Sequence, residues 1–173
     1  RQGKIPGEGD SGHSCQTWQE AAMGSVKMRA LLKQCEGWGL NVDEAKISEL
    51  LRLWKFYGRS MNLTAKLSEE ALITHIREGM QVVALASRLG VGQGARWLDV
   101  GSGGGFPGLL IAATSAVELT LVEPRLKRVE FLEIALRKLG RQDCHVLRGH
   151  VGEGSWQAVD DKSGLELPSD FDI

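Results

Sequence analysis

A strand that runs straight into a cluster of glycines restricts this chain more than any other feature of its 173 residues. Arg96-Trp97-Leu98-Asp99-Val100 reads as a short strand, and Gly101-Ser102-Gly103-Gly104-Gly105 follows without a break. Glycine lets the backbone turn tightly and approach a ligand closely. Pro107 suits the first turn of a helix that continues through Leu109, Leu110 and Ile111, and a helix starting there offers free N–H groups to that ligand. Glu118 to Glu123 is a second strand, ended by Pro124. Leu126, Val129, Leu132, Leu136 and Leu139 mark a helix stopped by Gly140, and His145-Val146-Leu147 is a third strand. This alternation implies an α/β fold with a parallel, doubly wound sheet. Val151 to Asp170, punctuated by Gly152, Gly154, Gly164 and Pro168, reads mostly as loop, and Phe171-Asp172-Ile173 as the opening of a fourth strand.

The first half has a different character. Residues 1–22 are rich in Gly, Ser, Gln and charge, and are expected to form a flexible tail. Residues 23–90 are expected to form a helical extension. Met28, Leu31, Leu32, Cys35 and Trp38 fall at helical spacing. Asn41 is the expected cap of a second helix, with Glu44 at the capping-box position and a stripe of Ile47, Leu50, Leu51, Trp54 and Tyr57. A third helix begins after Ser68, carries Glu69 and Glu70 in its first turn, and buries Leu72, Ile76, Met80 and Val83. Trp54 and Trp97 are expected in the core. Residues 91–173 would be the α/β unit.

Composition mainly excludes. Lys and Arg total 21 against 22 Asp and Glu, so bulk charge neither announces nor rules out a nucleic-acid partner. No apolar run approaches the roughly 20 residues of a membrane span, and no membrane partner is expected. The N-terminus lacks the apolar stretch of a signal peptide. Cys15, Cys35 and Cys144 form no CxxC, which favours a reduced, cytoplasmic protein. His13 and Cys15 are two ligands short of a metal site, and no metal is expected.

The glycine spacing selects among nucleotide cofactors. A dinucleotide fingerprint needs a sixth-position glycine, and Phe106 stands there; no GK[ST] marks a phosphate loop. The glycines instead run GxGxG, with Asp99 two residues ahead of Gly101. That variant is typical of Rossmann-like methyltransferases that use S-adenosylmethionine. Glu123 ends the next strand 22 residues after Gly101, where such folds place an acid to accept hydrogen bonds from ribose hydroxyls.

Trp97-Leu-Asp-Val-Gly-Ser-Gly-Gly-Gly-Phe-Pro-Gly108 resembles the signature of the RsmG (GidB) family, bacterial 16S ribosomal RNA guanine-N7 methyltransferases. Trp54 through Met61-Asn62-Leu63-Thr64, His75-Ile76, and Glu123 through Lys127-Arg128-Val129 and Phe131-Leu132 resemble three further segments of that family. The resemblance covers roughly Met23 to Leu147. It implies methyl transfer from S-adenosylmethionine to N7 of one guanine, position 527, of 16S ribosomal RNA, bare or within the small ribosomal subunit. Guanine N7 carries a lone pair and loses no proton before attack, so alignment supplies most of the effect and no catalytic base is expected. By the resemblance, Asp99, Gly101, Ser102, Gly103, Gly105, Glu123 and Glu153 would line the cofactor, with Glu123 on the ribose. Asn62, Thr64, His75, Lys127 and Arg128 would face the RNA, the last two through phosphates.

Some positions depart from the family. Arg77-Glu78-Gly79 follows His75-Ile76 where Leu-Asp-Ser is usual, and His150 stands where the family has an arginine. The family continues past Phe-Asp-Ile into a Ser-Arg-Ala segment beside the target base, whereas this sequence stops at Ile173. The expectation is therefore an incomplete catalytic unit with weak or absent RNA methylation. A methyltransferase for another substrate and a cofactor- or RNA-binding module without turnover remain the alternatives.

Overall fold

A computed structural model describes residues 26–152 and 155–158, with side chains described for 26–150. Three helices come first: α1 (Val26–Gly37), α2 (Glu44–Tyr57) and α3 (Glu69–Arg88). They lead into β1 (Arg96–Val100), α4 (Gly108–Thr114), β2 (Glu118–Val122), α5 (Leu126–Lys138) and β3 (His145–Leu147). The three strands form one parallel sheet in the order β1-β2-β3, with Trp97 opposite Leu119, Val100 opposite Val122, and Thr120 opposite His145. This is the expected α/β alternation. Among the described residues, no helix is long and apolar enough to cross a membrane.

Two local readings need correction. The cap of α2 is Asp43, not Asn41: its Oδ1 accepts from the N–H groups of Ala45 (2.9 Å) and Lys46 (3.4 Å). Those are the second and third amides of the helix, where a capping carboxylate belongs. Glu44 is then the first helical residue, next to its cap, and cannot complete a capping box. The second correction concerns the segment after β3. Gly149–Gly152 and Ser155–Ala158 pair as an antiparallel hairpin, β4 and β5, where loop was expected from residue 151. Four-residue strands with glycine at both ends of one of them carry too little alternation to register as strands. The expected fourth strand at Phe171–Ile173 and the expected tail fall outside the described residues.

The core is shared by both halves. Leu119 and Leu121 of β2 are fully buried together with Leu109 and Leu110 of α4 and Phe131 and Leu132 of α5. The same cluster continues through Ile47, Leu50 and Trp54 of α2 and Leu72, Ile76 and Met80 of α3. The N-terminal helices therefore pack directly on the helices that flank the sheet. Trp54 and Trp97 are both buried, as expected.

Arg141, in the turn after α5, ties the amino-terminal end of the sheet together. Its guanidinium donates to the carbonyls of Ala112 (2.6 Å), Ser115 (2.6 Å) and Val117 (2.7 Å), and pairs with Asp143 (2.9 Å). These bonds satisfy one carbonyl in the last turn of α4 and two in the connection from it to β2 that no helical N–H reaches. Arg141→Ala is expected to lower the unfolding free energy by about 3 kcal/mol, since hydrogen bonds to charged groups contribute roughly 1.5–3 kcal/mol each and do not add fully. Urea denaturation measures it; a loss below about 1 kcal/mol would show the carbonyls finding other partners.

Candidate functional site

The glycine loop sits where β1 ends, at the carboxyl edge of the sheet, the side on which open α/β sheets bind ligands. Its first two amides, Gly101 N–H and Ser102 N–H, both donate to the carbonyl of Val122 (2.8 and 3.0 Å), so β2 holds the loop's start. Gly101, Gly103 and Gly105 have φ of 77°, 58° and 87°. Side-chain-bearing residues resist that region, so the alternate glycines are a backbone requirement. Gly108 answers a different need: a Cβ there would strike the Asp99 carboxylate and Leu121.

Two acids brace the loop. The Glu123 carboxylate is buried at 3% exposure and accepts from two amides, Oε2 from Gly103 N–H (2.9 Å) and Oε1 from Arg125 N–H (3.0 Å). Asp99 Oδ2 accepts from Gly108 N–H (3.1 Å) at the start of α4, and the Ser102 hydroxyl donates to the Asp99 carbonyl (2.9 Å). Burial pushes the Asp99 carboxyl above its ordinary value, and hydrogen bonding from Ser102 and the Gly108 amide offsets part of that. A carboxyl that titrates higher in the folded than in the unfolded chain weighs against folding when ionised. That cost is full above the folded value and fades as pH falls through it towards the unfolded one. Asp99→Asn keeps an acceptor for Gly108 N–H. It is expected to be at least as stable as the parent at neutral pH, with the difference narrowing towards about pH 4. Urea denaturation across that range tests this; a parent more stable at neutral pH contradicts it.

The N-terminal helices reach the same loop. The Trp54 indole N–H donates to the Gly104 carbonyl (2.7 Å), and its ring stacks on Phe106 at 4.2 Å. His75 of α3 lies against the same ring, 5.1 Å from the Phe106 ring centroid, with Nδ1 3.4 Å from Glu78. Asn62 has a φ of 51°, and its carbonyl accepts two bonds from Arg128, from Nε (3.2 Å) and Nη2 (2.8 Å). Leu63 lies so close to Gly104 that a Cβ on Gly104 would sit 2.9 Å from the Leu63 carbonyl oxygen. Trp54, Leu63, His75 and Arg128, scattered in sequence, thus meet the stretch from Gly103 to Phe106, and Asn62 joins it through Arg128.

Of the residues picked from sequence, Asp99, Gly101, Ser102, Gly103, Gly105 and Glu123 are gathered in one loop and its two braces. Asn62, His75 and Arg128 stand beside it. Thr64 closes a local turn, its Oγ1 accepting from Lys66 N–H (3.4 Å). Lys127 is exposed, and Glu153 lies outside the described residues. The sequence reading missed the tie from Trp54 to Gly104. A buried tryptophan usually finds a partner for its N–H, and that was the available signal. A cavity of about 600 Å³ lined by Lys46, Gln93, Glu118 and Arg141 lies at the amino ends of the strands, away from the glycine loop.

Comparison with known proteins agrees with this geometry. The family model described as GidB, rRNA small subunit methyltransferase G, matches residues 43–163. A protein of Rhodopseudomonas palustris (strain HaA2) named ribosomal RNA small subunit methyltransferase G is 41% identical over 97 residues, 53% of this chain and 38% of that protein. Proteins of the same name from Jannaschia sp. (strain CCS1) and Alkaliphilus metalliredigens are 33% identical over 126 residues and 30% identical over 134. Those matches cover 69% and 74% of this chain but 56% and 55% of the relatives. The chain therefore spans about half the length, or less, of the curated relatives it matches. The match to the family model extends from the cap of α2 past β5, and on that footing the chain belongs to the GidB family, rRNA small subunit methyltransferase G.

Proposed function

We propose that this chain carries the methyl-donor site of an S-adenosylmethionine-dependent methyltransferase whose target is N7 of a guanine in 16S ribosomal RNA, and that it works in the cytoplasm where ribosomal subunits are made. One observation carries the reading. The loop Gly101–Gly105 is held at the carboxyl edge of the sheet with the Glu123 carboxylate hydrogen-bonded to its centre.

The residues fit the cofactor. No atom lies within 4 Å of where a Cβ on Gly101 would be, so the start of the loop is open to a ligand. Glu123 uses one acceptor site on each oxygen for a backbone amide; a carboxylate oxygen has a further lone pair for a ribose hydroxyl. Bound there, S-adenosylmethionine supplies a methyl group on a sulfonium. Asp99, Ser102 and the glycines of the loop would line its amino-acid portion, and Glu153, outside the described residues, is assigned to the cofactor from the family resemblance alone. Asn62, Thr64 and His75 would meet the RNA beside the loop. Lys127, exposed on the first turn of α5, suits a phosphate. Arg128 would act through the Asn62 turn, because its guanidinium is bound to that carbonyl. The reaction needs orientation rather than proton removal, and so no side chain is assigned as a base.

Calorimetric titration with S-adenosylhomocysteine tests the donor site; saturable, one-to-one binding is expected. A folded chain that does not bind it would overturn the reading. Transfer of labelled methyl from S-adenosylmethionine to 16S ribosomal RNA or small subunits, read as 7-methylguanosine, tests the target. Label appearing on a different base would redirect it.

A further inference from the structure

Trp54 does more than fill the core. It is wholly buried on α2, so it touches no ligand that enters from solvent. Any effect it has on binding must pass through the glycine loop. We infer that Trp54 is a positioning residue: its indole N–H fixes the orientation of the Gly104–Gly105 peptide and thereby sets how tightly the loop holds its ligand. The inference rests on the donor-site reading above and goes beyond it, because it places a determinant of cofactor affinity in the N-terminal helices.

One peptide unit, Gly104–Gly105, carries the effect. Its carbonyl, on Gly104, accepts from Trp54 Nε1 (2.7 Å); its amide, on Gly105, donates to the Ser102 carbonyl (2.7 Å). Both ends are therefore held, one by α2 and one by the loop itself. Two peptides back, the Ser102–Gly103 unit is held by that same Ser102 carbonyl and by Gly103 N–H on Glu123. Remove the indole N–H and the Gly104 carbonyl is left buried without a donor, a state that favours rotation of the peptide. Glycine flanks that peptide on both sides, and with no Cβ the rotation meets little steric resistance. Rotation turns Gly105 N–H away from Ser102, frees the Ser102–Gly103 unit, and loosens the Gly103 contact that aligns Glu123. The stack of Trp54 on Phe106 closes the far side of the loop, so the N–H acts on Gly104 and the ring two residues further on.

The test separates the N–H from the ring. S-adenosylhomocysteine affinity is measured for the parent, for Trp54→Phe, and for the chain with 3-benzothienylalanine at position 54, which replaces the N–H by sulfur and keeps the bicyclic ring. Amide hydrogen exchange at Gly103 and Gly105 is measured on the same three proteins. Kd is expected to rise about tenfold in both variants, the order expected for one buried hydrogen bond, with faster exchange at Gly103 and Gly105. Arg141→Lys, at the opposite edge of the sheet, serves as the control for general destabilisation and is expected to leave Kd unchanged. If the benzothienyl protein binds as tightly as the parent, the inference is wrong and Trp54 only fills space. If the parent itself does not bind, the donor-site reading fails. Exchange then decides the positioning claim alone: unchanged rates at Gly103 and Gly105 in the benzothienyl protein would overturn it.

Discussion

Glu123→Ala is expected to abolish measurable binding of S-adenosylhomocysteine and to cost the fold about 4 kcal/mol. The two losses share one origin. The carboxylate is buried and holds two amides, those of Gly103 and Arg125. Truncation leaves both N–H groups without their acceptor. Each charge-assisted bond contributes roughly 1.5–3 kcal/mol, and a domain has only about 5–15 kcal/mol to lose. Glutamine does not rescue the site as it would at a surface position. Both carboxylate oxygens act as acceptors, whereas an amide has one acceptor and one donor group, so one backbone N–H would face an NH2. Glu123→Gln is expected to lose about 2 kcal/mol of stability and about a hundredfold in affinity. Titration calorimetry and urea denaturation on the two variants check this. An alanine variant that binds like the parent would remove Glu123 from the site, and with it the ribose contact.

What could be read from sequence follows the range of the interactions involved. The strand, glycine loop and helix around residues 96–113 were legible because their signals are local: apolar residues, then glycines, then a proline at the turn of a helix. The acid at the end of β2 was legible for the same reason, since a parallel register fixes where the strand ends relative to the loop. Arg128 shows the limit. On α5 it has the look of a solvated cation suited to phosphate, yet its guanidinium is bound to a carbonyl 66 positions earlier. Helical spacing reports which face a residue occupies, never which distant backbone group meets it there. Trp54 fails in the complementary way. Its burial was evident from the stripe on α2, but its hydrogen bond to Gly104 spans 50 positions and leaves no local trace. The hairpin at residues 149–158 was missed because its strands are short and unpatterned.

Gly108→Ala is the complementary prediction, because it separates glycines the ligand needs from a glycine the fold needs. A single methyl group at position 108 would collide with the Asp99 carboxylate and with Leu121, which lies on the strand beneath. Asp99 cannot yield easily, since its Oδ2 holds the Gly108 amide (3.1 Å), and Leu121 is fully buried. Overpacking of this kind costs about 1–3 kcal/mol. Losing the amide–carboxylate bond adds to it, for an expected total of about 3 kcal/mol. Gly101→Ala meets the opposite situation. Its φ of 77° imposes roughly 1–2 kcal/mol of left-handed strain, but no atom lies within 4 Å of the new Cβ. Its stability loss should be the smaller of the two. Its methyl group would instead occupy the open side of the loop, so S-adenosylhomocysteine binding should fall while the chain stays folded. The pair is measured together, by urea denaturation and by titration. Should Gly108→Ala prove the milder change in denaturation, the close approach of α4 to β1 and β2 is not what demands a glycine at the head of that helix. Should Gly101→Ala bind as the parent does, the open side of the loop is not where the ligand lies.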